Sequence, residues 1–331
     1  MPPPESSLVN LFLIGGMKCG TSSLFDYFAA SPAISVCTEK EPMFFSHELM
    51  WEKGITWYES LFDWNQAKWF CEASTVYTRQ PFRPDVPVRL HEYNPDARLI
   101  FIAREPFARI VSHYKHMVRI GIEQRGFLDA LLSDDDYLVT SLYAYQLRHF
   151  TRWFPASQLL ILSFDEFVRY PDRTLGRIAD WLETDLQLDP AITGTIRQNA
   201  TADVTRIVNL NNDARLKRFA RASGLRRLLR GTPIWRLLLK ARKPFIQSAR
   251  IANFNDPGFL AEVEQGRDAL GPILNDADAD FEKAFEFDTC EWRNNRTASD
   301  HSELTRRFQA KIEAMCAPGY SASYSWEAPR G

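Results

Sequence analysis

The chain has 331 residues, 45% hydrophobic and 25% charged, which suits a soluble protein able to bury one large α/β core or two ordinary ones. A formal net charge of −2 excludes a global nucleic-acid signature, although Ala214 to Arg250 holds twelve Lys or Arg and no acid. The five cysteines (Cys19, Cys37, Cys71, Cys290 and Cys316) show no zinc spacing, which argues against a structural metal and for a reducing compartment. The opening "MPPPESS" lacks the pattern of a signal peptide, and no apolar run reaches the roughly 18 residues of a membrane span, so a cytoplasmic location is expected.

Along the chain, the apolar run Leu8 to Ile14 stops at paired glycines and is expected to be a buried strand. Leu24, Tyr27 and Phe28 then recur at helical spacing until "SP" at 31–32. Further strands are expected at 68–71 ("KWFC"), 98–103 ("RLIFIA") and 159–164 ("LLILSF"). After 98–103, Pro106 suits a first helical turn, and Phe107, Ile110, Val111 and Tyr114 mark one face. Another helix is expected through 174–182. This alternation predicts an α/β fold, a P-loop-type parallel sheet flanked by helices, with a mainly helical C-terminal part. One domain is expected over 8–292, of which 214–292 is a helical extension, followed by a polar C-terminal tail over 293–331. Within that tail, "RNNRTASD" and "PGYSASYSWEAPRG" are expected to be loosely docked.

Three stretches carry chemistry. In "LFLIGGMKCGTSSL", Gly15 and Gly20 have Walker A spacing, but Thr21 and Ser22 follow Gly20 directly and the lysine is Lys18, inside the loop. Backbone N–H groups of a glycine turn entering a helix bind anions whatever the side chains, and Thr21, Ser22 and Ser23 add hydroxyls. Taken alone, the stretch could equally be a plain turn with a solvated lysine. Arg104 ends a buried strand, where a guanidinium is costly unless it meets an anion, and Ser112 follows two helical turns on. Pairing of Arg104 with Glu105 is the bland alternative. Lys40 and Glu41 stand in the proline-bounded "EKEPMFF", where a lone glutamate would ordinarily be a solvated surface residue.

Together these stretches resemble the PAPS-dependent sulfotransferases (PAPS is 3′-phosphoadenosine 5′-phosphosulfate), the heparan-sulfate-type and bacterial members in particular. Lys18, Cys19, Gly20 and Thr21 look like the family's 5′-phosphosulfate motif. Arg104, Pro106, Arg109, Ser112 and Tyr114 look like its 3′-phosphate motif. "KEPMFFSHELMWEKGITWYESLF", "LYAYQLRHFTRWFPASQLLILSFDEF" and "FEFDTCEW" are similar to further family segments. The resemblance implies transfer of a sulfuryl group from PAPS to an acceptor hydroxyl or amine, with no metal required and no covalent enzyme intermediate. Lys18 would offset charge on the transferring group, and Lys18, Cys19, Gly20, Thr21, Ser22 and Ser23 would hold the phosphosulfate. Arg104 and Ser112 would hold the 3′-phosphate, and Glu41 would be the general base, with His47 as a rival.

There are departures from the family pattern. Ala73 stands where heparan-sulfate enzymes carry a lysine, and the C-terminal phosphate segment has only "KARKP" (240–244) as a candidate. A carbohydrate or glycolipid acceptor is favoured and nucleic acid is not expected. Trp51, Trp57, Tyr58, Phe62, Trp64 and Trp69 could stack on an acceptor or fill the core. For the basic stretch 214–250, three roles compete: a solvated face packed on the core, peripheral contact with an anionic membrane, and a rim of the cleft, the cleft being favoured over the membrane. Two other functions are weighed. A P-loop kinase or NTPase would use Asp165 to hold magnesium, but no lysine follows Gly20. A non-catalytic nucleotide- or polyanion-binding module would not need Glu41.

Overall fold

The structure is a computed structural model that describes residues 8–64, 67–188, 254–294, 296 and 302–320. The basic stretch 214–250, with "KARKP" inside it, lies outside the described residues. Five strands, β1 (Leu11–Gly15), β2 (Ile34–Val36), β3 (Trp69–Ala73), β4 (Arg98–Ala103) and β5 (Leu159–Ser163), form one parallel sheet in the order β2-β3-β1-β4-β5. Around it, in chain order, are α1 (Thr21–Ala29), α2 (Glu48–Trp51), α3 (Ile55–Glu59), α4 (Val86–Tyr93), α5 (Pro106–Arg119), α6 (Phe127–Ser133), α7 (Asp136–Val139), α8 (Tyr143–Phe150), α9 (Phe164–Arg169) and α10 (Pro171–Trp181). The C-terminal part is helical: α11 (Pro257–Phe285), α12 (Cys290–Asn294) and α13 (Glu303–Cys316).

The apolar runs read from the sequence correspond to β1, β3, β4 and β5. β2 has no counterpart among those expectations, because "ISV" is too short to show a period. Pairing with β3, through Ile34↔Trp69 and Val36↔Cys71, makes it a strand. β1 pairs with β3 through Leu11↔Cys71 and with β4 through Leu13↔Ile100, so it occupies the middle of the sheet. All five of its residues are buried, and period-two alternation divides them between two cores. Phe12 and Ile14 join Phe45, Tyr58 and Phe101 on one face, while Leu11 and Leu13 join Leu24, Phe28 and Ile100 on the other.

α5 starts where Pro106 indicates, with Glu105 as its cap accepting from the backbone N–H groups of Phe107 at 3.0 Å and Ala108 at 2.6 Å. Its apolar face builds a third cluster with Phe127, with Val263, Leu270 and Leu274 of α11, and with Phe308 and Met315 of α13. The C-terminal segment is therefore more firmly docked than its polar composition suggests. α13 buries Phe308 and Met315, and Lys311 donates to the Leu132 carbonyl at 3.0 Å and pairs with Asp135. Arg296, inside "RNNRTASD", is itself buried, because two carboxylates from elsewhere in the chain meet it.

Strand order reverses at β1: the chain first goes out to the edge at β2 and comes back through β3 beside β1, then crosses to β4 and β5 on the other side. Open parallel sheets bind ligands in the crevice outside the carboxyl ends of the strands at such a reversal. The glycine turn after β1 opens into that crevice.

Candidate active site

Three segments converge at the carboxyl ends of β1, β3 and β4. The first is the turn from Gly16 to Gly20. Its shape is closed from within: the Gly16 N–H donates to the Ile102 carbonyl at 2.9 Å, and the Cys19 N–H donates to the Gly16 carbonyl at 3.2 Å. Gly20 has φ of 84°, in the left-handed region that favours glycine, and a Cβ there would stand 3.1 Å from the Phe164 ring. α1 starts at the next residue, so the N–H groups of its first turn, Thr21 to Ser23, have no intrahelical carbonyl to bond. The positive end of the helix dipole points the same way.

The side chains of this turn divide by role. Cys19 is wholly buried and its thiol, pushed up to about 11 by burial, lies in the core under the turn. With its N–H already used, Cys19 serves the shape of the turn and offers the crevice no donor of its own. Thr21 is buried, Ser23 is half-buried and Ser22 is exposed. Lys18, at φ of 67°, is half-buried, and its charge is felt by Glu41 and by His116.

The second segment is the loop carrying Lys40 and Glu41. It is tied to the end of β3 and the turn beyond: the Glu41 N–H donates to the Ala73 carbonyl at 3.1 Å, and Thr75 Oγ1 donates to Glu41 Oε1 at 3.3 Å. Lys40 Nζ donates to Ser22 Oγ at 2.6 Å, bridging this loop to the start of α1. Glu41 and Met43 both adopt φ of 54°, uncommon for residues with a Cβ, so the loop depends on these ties. Burial raises the pKa of Glu41 above the usual carboxylate range, while Lys40, the Thr75 hydroxyl, Arg79 and Lys18 oppose the rise. The result is a carboxylate of raised basicity beside a set of cations. His47, the rival base, caps α2; burial lowers its pKa, and its Nδ1 is buried without a partner.

The third segment runs from the end of β4 into α5. Arg104 Nη1 donates to the Lys18 carbonyl at 3.2 Å, and the guanidinium lies over the Phe164 ring at 4.6 Å, so Arg104 sits against the glycine turn. The backbone of Arg104 is held by Tyr143, whose hydroxyl donates to its carbonyl at 2.7 Å. Ser112 is half-buried on α5. Two members of the motif face inward instead. Arg109 is wholly buried, donating to Ser141 Oγ and to the Tyr137 carbonyl, each at 2.6 Å, and Tyr114 donates to the Arg125 carbonyl at 2.8 Å. Within the motif, Arg104 meets the glycine turn, whereas Arg109 and Tyr114 serve the scaffold.

Two further residues stand near these segments. Lys40 touches Ser22, and His116 stands one helical turn beyond Ser112. Burial, Lys18 and Arg119 push His116 down to about 4, so its imidazole is neutral. The i, i+4 spacing from Ser112 is the only sequence signal for it. Of the aromatic residues, Tyr58, Phe62, Trp64 and Trp69 are buried in the cores, whereas Trp51 and Trp57 are only partly buried, with Arg89 and Lys53 over their rings. Beside Arg104, a cavity of about 630 Å³ is lined by residues that include Glu105, Ala108, Asp165, Arg169, Arg267 and Arg296. Asp165 shares that lining with three arginines and with Glu105, Glu264 and Glu291.

Comparison with known proteins bears on this arrangement. A model described as a sulfotransferase family matches residues 56–188. The chain is 28% identical over 191 residues to human heparan sulfate glucosamine 3-O-sulfotransferase 6, covering 54% of each chain. It is 27% identical over 193 residues to human heparan sulfate glucosamine 3-O-sulfotransferase 3B1, covering 54% of this chain and 47% of that one. It spans about half the length of these curated relatives. Among solved structures, a sulfotransferase from Alicyclobacillus acidocaldarius is similar, with 27% identity and a TM-score of 0.51 over 59% of this chain and 91% of that one.

Proposed function

Taking the chain as a relative of the sulfotransferases in sequence and in fold, we propose that it moves the sulfuryl group of PAPS to a hydroxyl or amine of an acceptor by in-line transfer. The observation that carries this is the tie between the Glu41 loop and the start of α1, through Lys40 Nζ on Ser22 Oγ, with the charge of Lys18 felt at Glu41. The residues fit an anionic donor: the first N–H groups of α1, Ser22, Ser23 and Lys18 address one end of it. Arg104 and Ser112 stand along the β4–α5 side to take a 3′-phosphate. Glu41 removes the proton of the acceptor as its oxygen or nitrogen attacks sulfur, and the sulfur–oxygen bond pair leaves with the 5′-phosphate. Lys18 offsets the charge that grows on the leaving oxygen. His116 stays neutral beside Lys18 and does not compete for the proton at ordinary pH.

A carbohydrate acceptor is favoured, supported by the heparan sulfate relatives and by the partly buried Trp51 of α2 and Trp57 of α3. The test is transfer of labelled sulfate from PAPS to heparan-type glycans, other saccharides and simple alcohols or amines. Transfer to a saccharide supports the proposal. Failure on all acceptors, together with turnover of ATP, would overturn it in favour of a kinase or NTPase.

A further inference from the structure

We propose that Glu72 is a positioning residue for Glu41, a buried carboxyl that shapes the base-bearing loop through Tyr77 and strengthens the base when ionised. The inference rests on the reading of Glu41 as the general base. Glu72 lies in β3 and is wholly buried. Its Oε2 accepts from Tyr58 Oη at 2.8 Å and from Tyr77 Oη at 2.9 Å, while its Oε1 is buried with no hydrogen-bond partner. A carboxyl this deep would ordinarily be replaced by an apolar residue unless it had work to do.

Four residues just beyond Glu72 hold the Glu41 loop: Ala73, Ser74, Thr75 and Tyr77. The Ala73 carbonyl accepts from Glu41 N–H, Ser74 Oγ accepts from Met43 N–H at 3.1 Å, and Thr75 Oγ1 donates to the Glu41 carboxylate. Tyr77 Oη accepts from Phe45 N–H at 3.3 Å while donating to Glu72. The carboxyl therefore orients the phenol that anchors the far side of the loop.

The groups facing Glu72 are Tyr58 from α3, Tyr77 from the turn after β3, Tyr93 from α4, Cys37 beyond β2, Cys71 of β3 and Glu41 above it. None of these is a cation. Burial pushes Glu72 up to about 7, the nearby Ser74 hydroxyl and the hydrogen bonds from Tyr77 and Tyr58 draw it down, and the charge of Glu41 raises it further. The coupling of two carboxyls is reciprocal, so they release their protons in two steps. Glu41, with Lys40, Thr75, Arg79 and Lys18 supporting its charge, ionises first. Glu72 follows near neutrality, and its charge then raises the basicity of Glu41.

The test is the pH profile of kcat at saturating donor and acceptor, for wild type, Glu72→Gln and Tyr58→Phe, with Glu41→Gln in parallel. In wild type kcat should rise in two steps, the upper near pH 7. Glu72→Gln should lose the upper step and settle on a plateau roughly two- to fivefold lower, with KM for PAPS unchanged. Tyr58→Phe removes one donor from the carboxylate, so the upper step should move to higher pH. An upper step that survives Glu72→Gln overturns the proposal. If Glu72→Gln does not fold, an upper step that Tyr58→Phe leaves in place does the same. Loss of rate in Glu72→Gln with the profile's shape intact would mean a merely structural role. Normal turnover by Glu41→Gln would instead sink the general-base reading, whatever Glu72 does.

Discussion

Glu41 and Lys40 are neighbours in sequence with separate partners, Glu41 meeting Thr75 and Lys40 reaching Ser22 at the head of α1. Glu41→Gln keeps the shape and removes the basicity, so turnover should fall by roughly 10²- to 10⁴-fold while binding of adenosine 3′,5′-bisphosphate persists. Lys18→Ala should weaken both binding and rate; if calorimetry and turnover leave both unchanged, the glycine turn has been misread. Because the pKa of Glu41 is raised, activity should fall away as pH drops through that raised value, at higher pH than for an ordinary glutamate. Stability carries its own sign. Glu72 and Asp278 are each pushed up to about 7, chiefly by burial. Between about pH 4, where these groups ionise in the unfolded chain, and pH 7, the folded protein holds more protons. Their contribution is thus fullest in acid and is lost as pH rises to 7. Urea midpoints should show Glu72→Gln gaining on wild type between pH 5.5 and pH 7.5, and a constant gap would count against a raised Glu72.

Among the elements, α5 joins the site to the C-terminal segment. Its cap Glu105 bonds two backbone N–H groups of the first turn and also meets Arg296, whose Nη1 reaches Asp278 of α11 at 2.7 Å. Arg296 is 2% exposed and Asp278 equally so, and removing the guanidinium would leave the buried Asp278 carboxylate without this partner, while Glu105 keeps its two backbone N–H groups. Arg296→Met should therefore cost about 3–5 kcal/mol in chemical denaturation. A loss within a few tenths would mean that the segment is not docked in solution. The glycine turn is the second sensitive element. Gly20→Ala forces a Cβ into left-handed backbone beside Phe164, so about 1–2 kcal/mol of stability should go, with donor affinity falling alongside.

For the whole molecule, the crevice lies where the sheet reverses direction, so a donor bridging the glycine turn and α5 touches both halves of the sheet. Adenosine 3′,5′-bisphosphate should therefore stabilise the folded protein by mass action, about 2.7 kcal/mol at a hundred times its Kd. ATP with magnesium should do much less, since it offers no 3′-phosphate to Arg104 and Ser112. Equal thermal shifts with the two nucleotides would contradict the donor assignment.

The sequence by itself determined the alternation of strands and helices, the start of α5 at Pro106, and the glycine turn with its inner lysine. These are local signals: a period, a ring that suits the first turn of a helix, and spacings within one turn. It also singled out Arg104, as a guanidinium at the end of a buried strand, and Glu41, but Glu41 only through resemblance, since a lone glutamate is not chemically distinctive in its own stretch. Tertiary structure alone decided that Lys40 meets Ser22 and that His116 shares the crevice with Lys18. It likewise decided that Arg109 and Cys19 serve the scaffold, and that Glu72 lies buried beneath the base. It made "ISV" a strand and turned part of a polar tail into a docked helix. In each of these cases the deciding partner lies far along the chain, so burial and charge at the residue are set by the packing of segments that no local pattern contains.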